Sequence, residues 1–394
     1  MIIEKAERVL EEYNLCNHCL GRLFAKAGKG KNVERGASIR LVLNMEREIK
    51  GIKPLKEPEE CVLCSNVFDQ IDEVLKLVKR KAESIEFGSF LIGSRFPEEI
   101  LKKEKEIVEK FEINYWEPIN REFNRELGKK LEQILKKPVN KHTPDVVFIV
   151  NPYELHVEVQ IKPIFVYGRY KKLVRDIPQT PFKGYKESVA SVICRPFSRE
   201  TNGKCIFHGA GREDIDVRML GNGRPFILEI KNPKRRVIDL DEIAEEINAS
   251  EKVEVLSLRF STREEMKKIL THNSRKVYEA LIYVEDGVNE EDVKKVEKAL
   301  SNVLIQQKTP KRVLRRRADI IRKRKVYWAK GKLVNEKHFK LRLFVDGGLY
   351  IKELISGDEG RTVPSVSSIL KKRALCKLLD VLEYVDNNSS IKIT

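Results

Sequence analysis

Two pairs of cysteines near the amino terminus constrain this chain more than any other feature. Cys16 and Cys19 form one Cys-x-x-Cys pair, and Cys61 and Cys64 form a second. A two-residue spacer lets both sulfurs of a pair face one tetrahedral metal ion, and two pairs complete four thiolate ligands. We therefore predict a closed structural Zn²⁺ site held by these four cysteines. A redox or incidental role for the thiols is the alternative.

The region around these cysteines is too small to fold on a hydrophobic core alone. Residues 1–67 hold two predicted helices and a connection rich in proline and charge. Such a unit buries little apolar surface, and a bound metal supplies the missing stability. Because four thiolates complete the coordination, His18 and His142 are predicted to be bystanders. We interpret residues 1–67 as a zinc-binding amino-terminal module.

The charge balance indicates the kind of partner. Lysine and arginine number 77 against 60 aspartates and glutamates, a formal net charge of +17. This excess favours a polyanionic partner, nucleic acid before an anionic membrane. No apolar run approaches the roughly 20 residues that span a bilayer, and no signal peptide is evident. We expect a cytoplasmic monomer without a membrane partner. In a reducing compartment no disulfide framework is expected from the remaining cysteines, Cys194, Cys205 and Cys376.

The rest of the chain divides into two predicted domains. Residues 68–175 combine a helix over 119–136, whose apolar residues recur every four positions, with paired strands over 145–150 and 155–161. Residues 176–394 contain strand-like segments at 225–230, 253–260, 276–284, 326–328, 340–345 and 349–354. Helices are predicted at 262–270, 290–301 and 364–384. The mixture indicates a multidomain α+β protein with a mixed sheet in its carboxy-terminal part.

An acidic cluster is the strongest candidate for a catalytic site. Glu213, Asp214 and Asp216 lie between Arg212 and Arg218. Carboxylates this close repel one another and lose solvation when buried, so a site built this way usually needs a carboxylate with a fixed place and charge. A charged surface turn is the alternative interpretation.

A basic segment over residues 311–325 is the candidate nucleic-acid contact. It holds nine lysines or arginines against one acid, Asp319, and it contains apolar residues that would anchor it to a core. A fixed positive ridge of this kind suits RNA phosphates, although a solvated helix face is the usual explanation of a charge run. The predicted RNA-binding residues are Lys311, Arg312, Arg315, Arg316 and Arg317.

Several long motifs in one order carry a resemblance to a known family. In pseudouridine synthases the nucleophilic aspartate commonly follows a basic residue by two positions, as Asp214 follows Arg212. The run GREDIDVRMLGNGRPF resembles one branch of that superfamily, the Pus-ten type tRNA pseudouridine synthases of archaea and eukaryotes. Further matches are both Cys-x-x-Cys pairs, GRYKKLVRDIPQT, QKTPKRVLRRR and LYIKELISGDEGRTVPS.

The resemblance implies a function and a role for each site residue. Residues 68–175 would be a THUMP-like RNA-binding domain and 176–394 the catalytic domain. Asp214 would be the nucleophile, Lys352 its basic partner and Tyr278 the aromatic residue that holds the uracil. Arg212 competes with Lys352 as the ion-pair partner of Asp214. The implied substrate is tRNA, modified at uridines 54 and 55 of the T-arm, with no organic cofactor.

Alternatives remain open at this point. Asp216 is the rival nucleophile, because alternate residues of an extended chain share one side. Asp216, Glu229 and Lys231 also fit the loose acid–gap–Glu-x-Lys pattern of a Mg²⁺-dependent nuclease. Residues 209–211 form half of a glycine-rich nucleotide fingerprint, but the third glycine is missing and charged residues follow, which disfavours a nucleotide-dependent RNA-modifying enzyme. A non-catalytic protein that binds structured RNA would leave the acidic cluster unexplained.

Overall fold

The computed structural model describes residues 2–271 and 274–385, and these form two compact units. The first unit comprises residues 2–162 together with 232–236, and the second comprises the remaining described residues. The predicted three-part division of the chain remains a prediction. Within the described ranges, no helix has the length and apolar character required to cross a membrane.

The first unit is mainly helical. Its elements are α1 (Ile2–Glu12), α2 (Asn17–Leu23), α3 (Asn32–Ile49), α4 (Ile71–Ala82), β1 (Phe90–Ser94), α5 (Glu98–Lys110), α6 (Ile119–Leu135), β2 (Val146–Asn151) and β3 (His156–Ile161). The strands are ordered β1-β2-β3, with β1 parallel to β2 and β2 antiparallel to β3. The predicted pairing of the last two strands is therefore confirmed. Buried phenylalanines, including Phe90, Phe123 and Phe148, fill the space between sheet and helices.

Helices α2 and α3 cross in near backbone contact. A Cβ on Gly21 would lie 1.8 Å from the Asn32 carbonyl oxygen, and one on Gly36 would lie 2.0 Å from that of Asn17. Only glycine fits at both positions, since a side chain would force the helices apart. The crossing fixes α2, which carries Cys19 and is capped by Cys16.

The second unit is built on a large mixed sheet. Its elements are β4 (Ile164–Lys172), α7 (Val189–Thr201), β5 (Lys204–Gly209), β6 (Arg218–Lys231), α8 (Leu240–Asn248), β7 (Val253–Ser261), α9 (Arg263–Thr271), β8 (Arg275–Val284), α10 (Glu290–Leu300), β9 (Val303–Lys308), β10 (Ile321–Asn335), β11 (His338–Val345), α11 (Ile351–Ser356), β12 (Thr362–Val363), α12 (Val366–Leu370) and β13 (Ala374–Val385). The strand order is β12-β9-β10-β11-β8-β13-β6-β4-β7, and β5 pairs with β6. The mixed sheet with helices confirms the α+β class.

The predicted helix over 364–384 is wrong. The structure has the short helix α12 followed by the strand β13, which lies between β8 and β6. Two register shifts, at Cys376/Leu378 and Val381/Glu383, interrupt the alternation of β13. A bulge moves the apolar residues out of a strict period of two, and their spacing then imitates a helix. The consequence is large because β13 is a central strand.

The predicted strand over 349–354 is also wrong. This segment enters helix α11, in which Ile351, Leu354 and Ile355 are buried at helical spacing. Gly357 ends the helix with a φ of 83°, and its N–H donates a hydrogen bond to the Glu353 carbonyl. The expectation of unpaired cysteines fails at one place, because Cys194 and Cys205 form a disulfide that joins α7 to β5.

Candidate active site and candidate metal centre

Asp214 lies on the loop that connects β5 to β6, residues 210–217. Its side chain is 38% exposed, whereas the neighbouring Glu213 is buried. The two adjacent carboxylates therefore have opposite environments. Asp214 is available to a ligand from solvent, and Glu213 belongs to the interior of the loop.

Two cations face the Asp214 carboxylate. The Arg312 guanidinium lies 3.1 Å from Oδ2, and the Lys352 ammonium lies 3.4 Å from the same oxygen. Lys352 also donates to both carboxylate oxygens of Asp216 at 2.7 Å. The Asp214 carboxylate therefore has positive groups on two sides.

Separate elements supply these two cations. Arg312 lies in a 3-10 turn, Lys311–Arg316, and Lys352 lies in α11. The next residue of α11, buried Glu353, accepts from Arg312 Nε at 2.6 Å and so orients its guanidinium. Burial lowers the pKa of Arg312, but Glu353 and Asp214 outweigh it and hold that pKa above its ordinary value. The sequence predicted Arg312 as an RNA contact and missed its position beside Asp214.

Arg212 does not compete for Asp214 in this arrangement. Its side chain is exposed, and among the described residues it forms no ion pair with Asp214. Lys352, the other predicted partner, does contact Asp214, although it lies on a helix rather than the expected strand.

The sheet places Tyr278 near the same loop. Tyr278 on β8 pairs with Val381 on β13, which pairs with Met219 at the start of β6. Two strand spacings separate Tyr278 from Met219, a distance of about 10 Å. Burial raises the pKa of Tyr278 to about 12, with Arg224 opposing the rise and Glu213, Tyr384 and Asp214 adding to it. The half-buried phenol therefore keeps its proton at neutral pH.

A buried lysine fixes the backbone of the loop. Lys172 Nζ donates to the carbonyl oxygens of Ile177 at 2.9 Å, Asp214 at 3.1 Å and Ile215 at 2.7 Å. Burial lowers the pKa of Lys172 to about 8, although Glu213, Asp216 and Asp214 oppose that shift. Only the ammonium form supplies three donors, so the anchoring of Asp214 depends on this proton.

The nuclease constellation is not assembled. Met219 pairs with Lys172, and Glu229 pairs with Phe165, seven residues away on β4. At about 3.3 Å per residue, Met219 and Glu229 are therefore roughly 23 Å apart along the sheet. Asp216 lies on the loop before Met219, at the end of the strand away from Glu229. One metal ion holds ligand oxygens only a few ångströms apart. Glu229 is also paired with Arg263 at 3.2 Å, so Asp216 and Glu229 do not share an ion.

The other residues of the basic segment differ in their exposure and in their partners. Arg315 is exposed, and Lys311 pairs with Glu359. Arg317 donates from Nη1 to the Tyr350 hydroxyl at 3.0 Å. The side chain of Arg316 lies outside the described part of the structure. Positive groups thus extend outward from the turn that carries Arg312.

The four predicted cysteines come together in the first unit. All are buried, and their sulfurs lie within 4.8 Å of one another. Cys16 Sγ and Cys64 Sγ are 3.7 Å apart. A tetrahedral zinc ion with zinc–sulfur bonds of ~2.3 Å would place its sulfur ligands ~3.8 Å apart. The donor set fits a tetrahedral ion. Within the described residues, it is the one group of potential ligands suited to a metal.

Hydrogen bonds already orient several of these sulfurs. The Cys16 N–H donates to Cys61 Sγ at 3.3 Å, and the Cys19 N–H donates to Cys16 Sγ at 3.5 Å. Buried Arg22 donates to Cys19 Sγ at 2.7 Å and to Glu104 at 2.8 Å. Such donors stabilise thiolate charge, and outer hydrogen bonds of this type orient metal ligands.

Comparisons with known proteins agree along the chain. Residues 165–386 match the family described as Pus10, C-terminal, and residues 75–151 match the archaeal Pus10 THUMP domain. A Pyrococcus furiosus protein named tRNA pseudouridine synthase Pus10 is 60% identical, over 98% of this chain and 99% of that one. A Methanocaldococcus jannaschii protein of the same name is 45% identical, over 96% and 94%.

A solved Cbf5–Nop10–Gar1 complex aligns with a TM-score of 0.33 and 15% identity, over 56% of this chain and 60% of that one. The family matches and the near-full-length relatives carry the assignment. The chain belongs to the Pus10 family of tRNA pseudouridine synthases, which are isomerases.

Proposed function

We propose that this enzyme isomerises uridines 54 and 55 in the T-arm of tRNA, with Asp214 as the nucleophile. The observation that supports the proposal is the partly exposed Asp214 carboxylate between Arg312 and Lys352. The names of the full-length relatives support tRNA as the substrate. The enzyme would act as a cytoplasmic monomer.

The reaction exchanges one bond between uracil and ribose for another. The C1′–N1 bond breaks, C1′ bonds to C5 of the same base, C5 loses a proton and N1 gains one. Electrons and atoms balance without a redox partner. Asp214 would act at the sugar–base junction as the nucleophile, with Arg312 and Lys352 in contact with its carboxylate.

The uracil must be held while it turns. The target base is stacked in folded RNA, so it leaves the stack before it reaches Asp214. Tyr278 would stack on the displaced base. Its raised pKa makes the hydroxyl a donor rather than a general base at neutral pH. Lys311, Arg315, Arg316 and Arg317 would contact phosphates around the site.

The cysteine cluster would have a structural role. Cys16, Cys19, Cys61 and Cys64 would hold one Zn²⁺, which contributes its binding free energy to folding of the first unit. Four protein ligands leave no position for substrate, so the catalytic steps involve residues of the second unit only.

The direct test is incubation with unmodified tRNA, followed by single-nucleotide mapping of pseudouridine with and without EDTA. We expect pseudouridine at positions 54 and 55 in both arms. Pseudouridine only at other positions would contradict the T-arm assignment. Metal-dependent cleavage without isomerisation would instead support a nuclease.

A further inference from the structure

Glu213 and its partners form a buried network directly behind Asp214. Glu213 is 6% exposed, and its side-chain oxygen Oε2 lies 3.0 Å from Arg224 Nε. The Tyr170 hydroxyl lies 2.9 Å from Oε1 and 2.8 Å from Oε2. All three residues are buried. A charge inside a protein must be paired and hydrogen-bonded, and this one has both kinds of partner.

The same network holds the backbone that leads to Asp214. Arg224 donates from Nη1 to the Ala210 carbonyl at 3.0 Å. Gln179 donates from Nε2 to the Gly211 carbonyl at 2.8 Å and to the Tyr170 hydroxyl at 2.8 Å. The loop is therefore fastened at two consecutive carbonyls and at the side chain of Glu213.

The loop sequence matches this fastening. Gly211 has φ of 85°, and a Cβ there would lie 2.9 Å from Arg224 Nη1. A larger residue would be strained and would crowd the guanidinium. Burial lowers the pKa of Arg224, yet Glu213 holds it above its ordinary value, so the cation persists.

We propose that Glu213, ion-paired with Arg224 and hydrogen-bonded by Tyr170, is a positioning residue that orients Asp214 for reaction. The buried Glu213 would act without touching the substrate. Its inward side chain directs the adjacent Asp214 outward, towards Arg312 and Lys352. The proposal rests on the proposed function of Asp214. Positioning matters because misplacement of a reacting group by about 1 Å can cost roughly 100-fold in rate.

The test compares Glu213→Gln with Glu229→Gln in the full-length protein. Both substitutions are isosteric and remove a buried carboxylate that is paired with an arginine. Glu229 lies five residues beyond Arg224 along β6, about 16 Å from it. Single-turnover isomerisation, the Kd for tRNA and the Tm are measured for both. We expect Glu213→Gln to lose about 10- to 100-fold in rate with a Kd within about 2-fold. Glu229→Gln should keep the wild-type rate.

Tyr170→Phe is the second variant, because it keeps the ion pair and removes one hydroxyl. We expect a smaller rate loss, on the order of 3- to 10-fold, again with unchanged Kd. A wild-type rate in folded Glu213→Gln overturns the positioning role. If Glu213→Gln does not fold, a wild-type rate in Tyr170→Phe overturns it. Equal rate losses in Glu213→Gln and Glu229→Gln also overturn it. An inactive wild type would contradict the proposed function instead.

Discussion

The cysteine cluster and the Asp214 loop stabilise reactive groups in opposite ways. The cysteines are buried and face one another, an arrangement that could hold a metal ion between them. Asp214 is partly exposed and is held from behind by Lys172 and by the Glu213 network. A closed site uses its ligands to stabilise a fold, whereas an open site needs other buried groups to fix one accessible carboxylate.

The largest expected effect concerns the closed site. We expect the wild-type chain to bind one zinc and the Cys16→Ser, Cys61→Ser double variant to lose it. The first unit should then become sensitive to protease, since apparent zinc binding in structural sites contributes about 10–16 kcal/mol. Metal analysis and limited proteolysis measure both outcomes. Equal zinc in the variant and the wild type, or none in either, would leave the cysteines as redox or incidental thiols.

A pH series tests the anchoring of the open site. The Lys172 pKa of about 8 lies below its ordinary 10.5, so the unfolded chain binds more protons between these values. The Lys172 contribution to the unfolding free energy therefore rises with pH across this window, by at most about 3 kcal/mol. Isomerisation should fall as the pH rises through about 8, because Lys172 of the folded protein then loses its proton and a neutral amine cannot donate to all three carbonyls.

Lys172→Met is the control for this series. The wild-type minus variant difference in unfolding free energy isolates the titration of Lys172 from that of other groups. It should increase above pH 8, and the variant should lack the corresponding decline in rate. A pH-independent difference would show that Lys172 does not titrate in this range.

The two cations at Asp214 should contribute comparable amounts. Arg312→Gln and Lys352→Gln should each reduce the single-turnover rate by roughly 10- to 100-fold, equivalent to about 1.4–2.7 kcal/mol. Arg212→Gln should cost less than about 3-fold, because Arg212 makes no ion pair with Asp214 among the described residues. A larger loss in Arg212→Gln than in Lys352→Gln would reverse the assignment of the ion-pair partner.

The smallest effect is expected at the basic segment. Changing Arg315, Arg316 and Arg317 together to glutamine should flatten the log–log salt dependence of tRNA affinity by about one unit for each lost phosphate contact. The matched control changes Lys294, Lys295 and Lys298, exposed lysines on α10, to glutamine. Equal slopes in the two triple variants would identify the basic segment as an ordinary solvated surface.

The two sites also differ in how far the sequence predicts them. The four cysteines are visible as two Cys-x-x-Cys pairs, because this spacing lets both sulfurs of a pair face one metal ion. The Asp214 site depends on Arg312, which is 98 residues away in the chain. Arg312 is one of several basic residues in its segment, so the sequence does not distinguish it from its neighbours. The resemblance selected Lys352 and Tyr278, but only the sheet register through β13 brings Tyr278 near the loop. That strand was predicted as a helix because its bulges disrupt the alternation.

The buried supports of the loop were not predictable from spacing. Tyr170 and Arg224 lie on different strands, and nothing in a linear pattern distinguishes a buried arginine from an exposed one. Glu213 was recognised only as a member of an acidic cluster. Its separation from Asp214 into opposite environments is a consequence of tertiary packing.

The central claim is that Asp214, and not Asp216, is the nucleophile, and it is tested most directly by two isosteric variants. Asp214→Asn and Asp216→Asn are assayed side by side for pseudouridine formation and for tRNA binding. We predict that Asp214→Asn shows no detectable isomerisation with nearly intact binding, because an amide cannot act as an anionic nucleophile. Asp216→Asn should retain measurable turnover. An active Asp214→Asn beside an inactive Asp216→Asn would contradict the account.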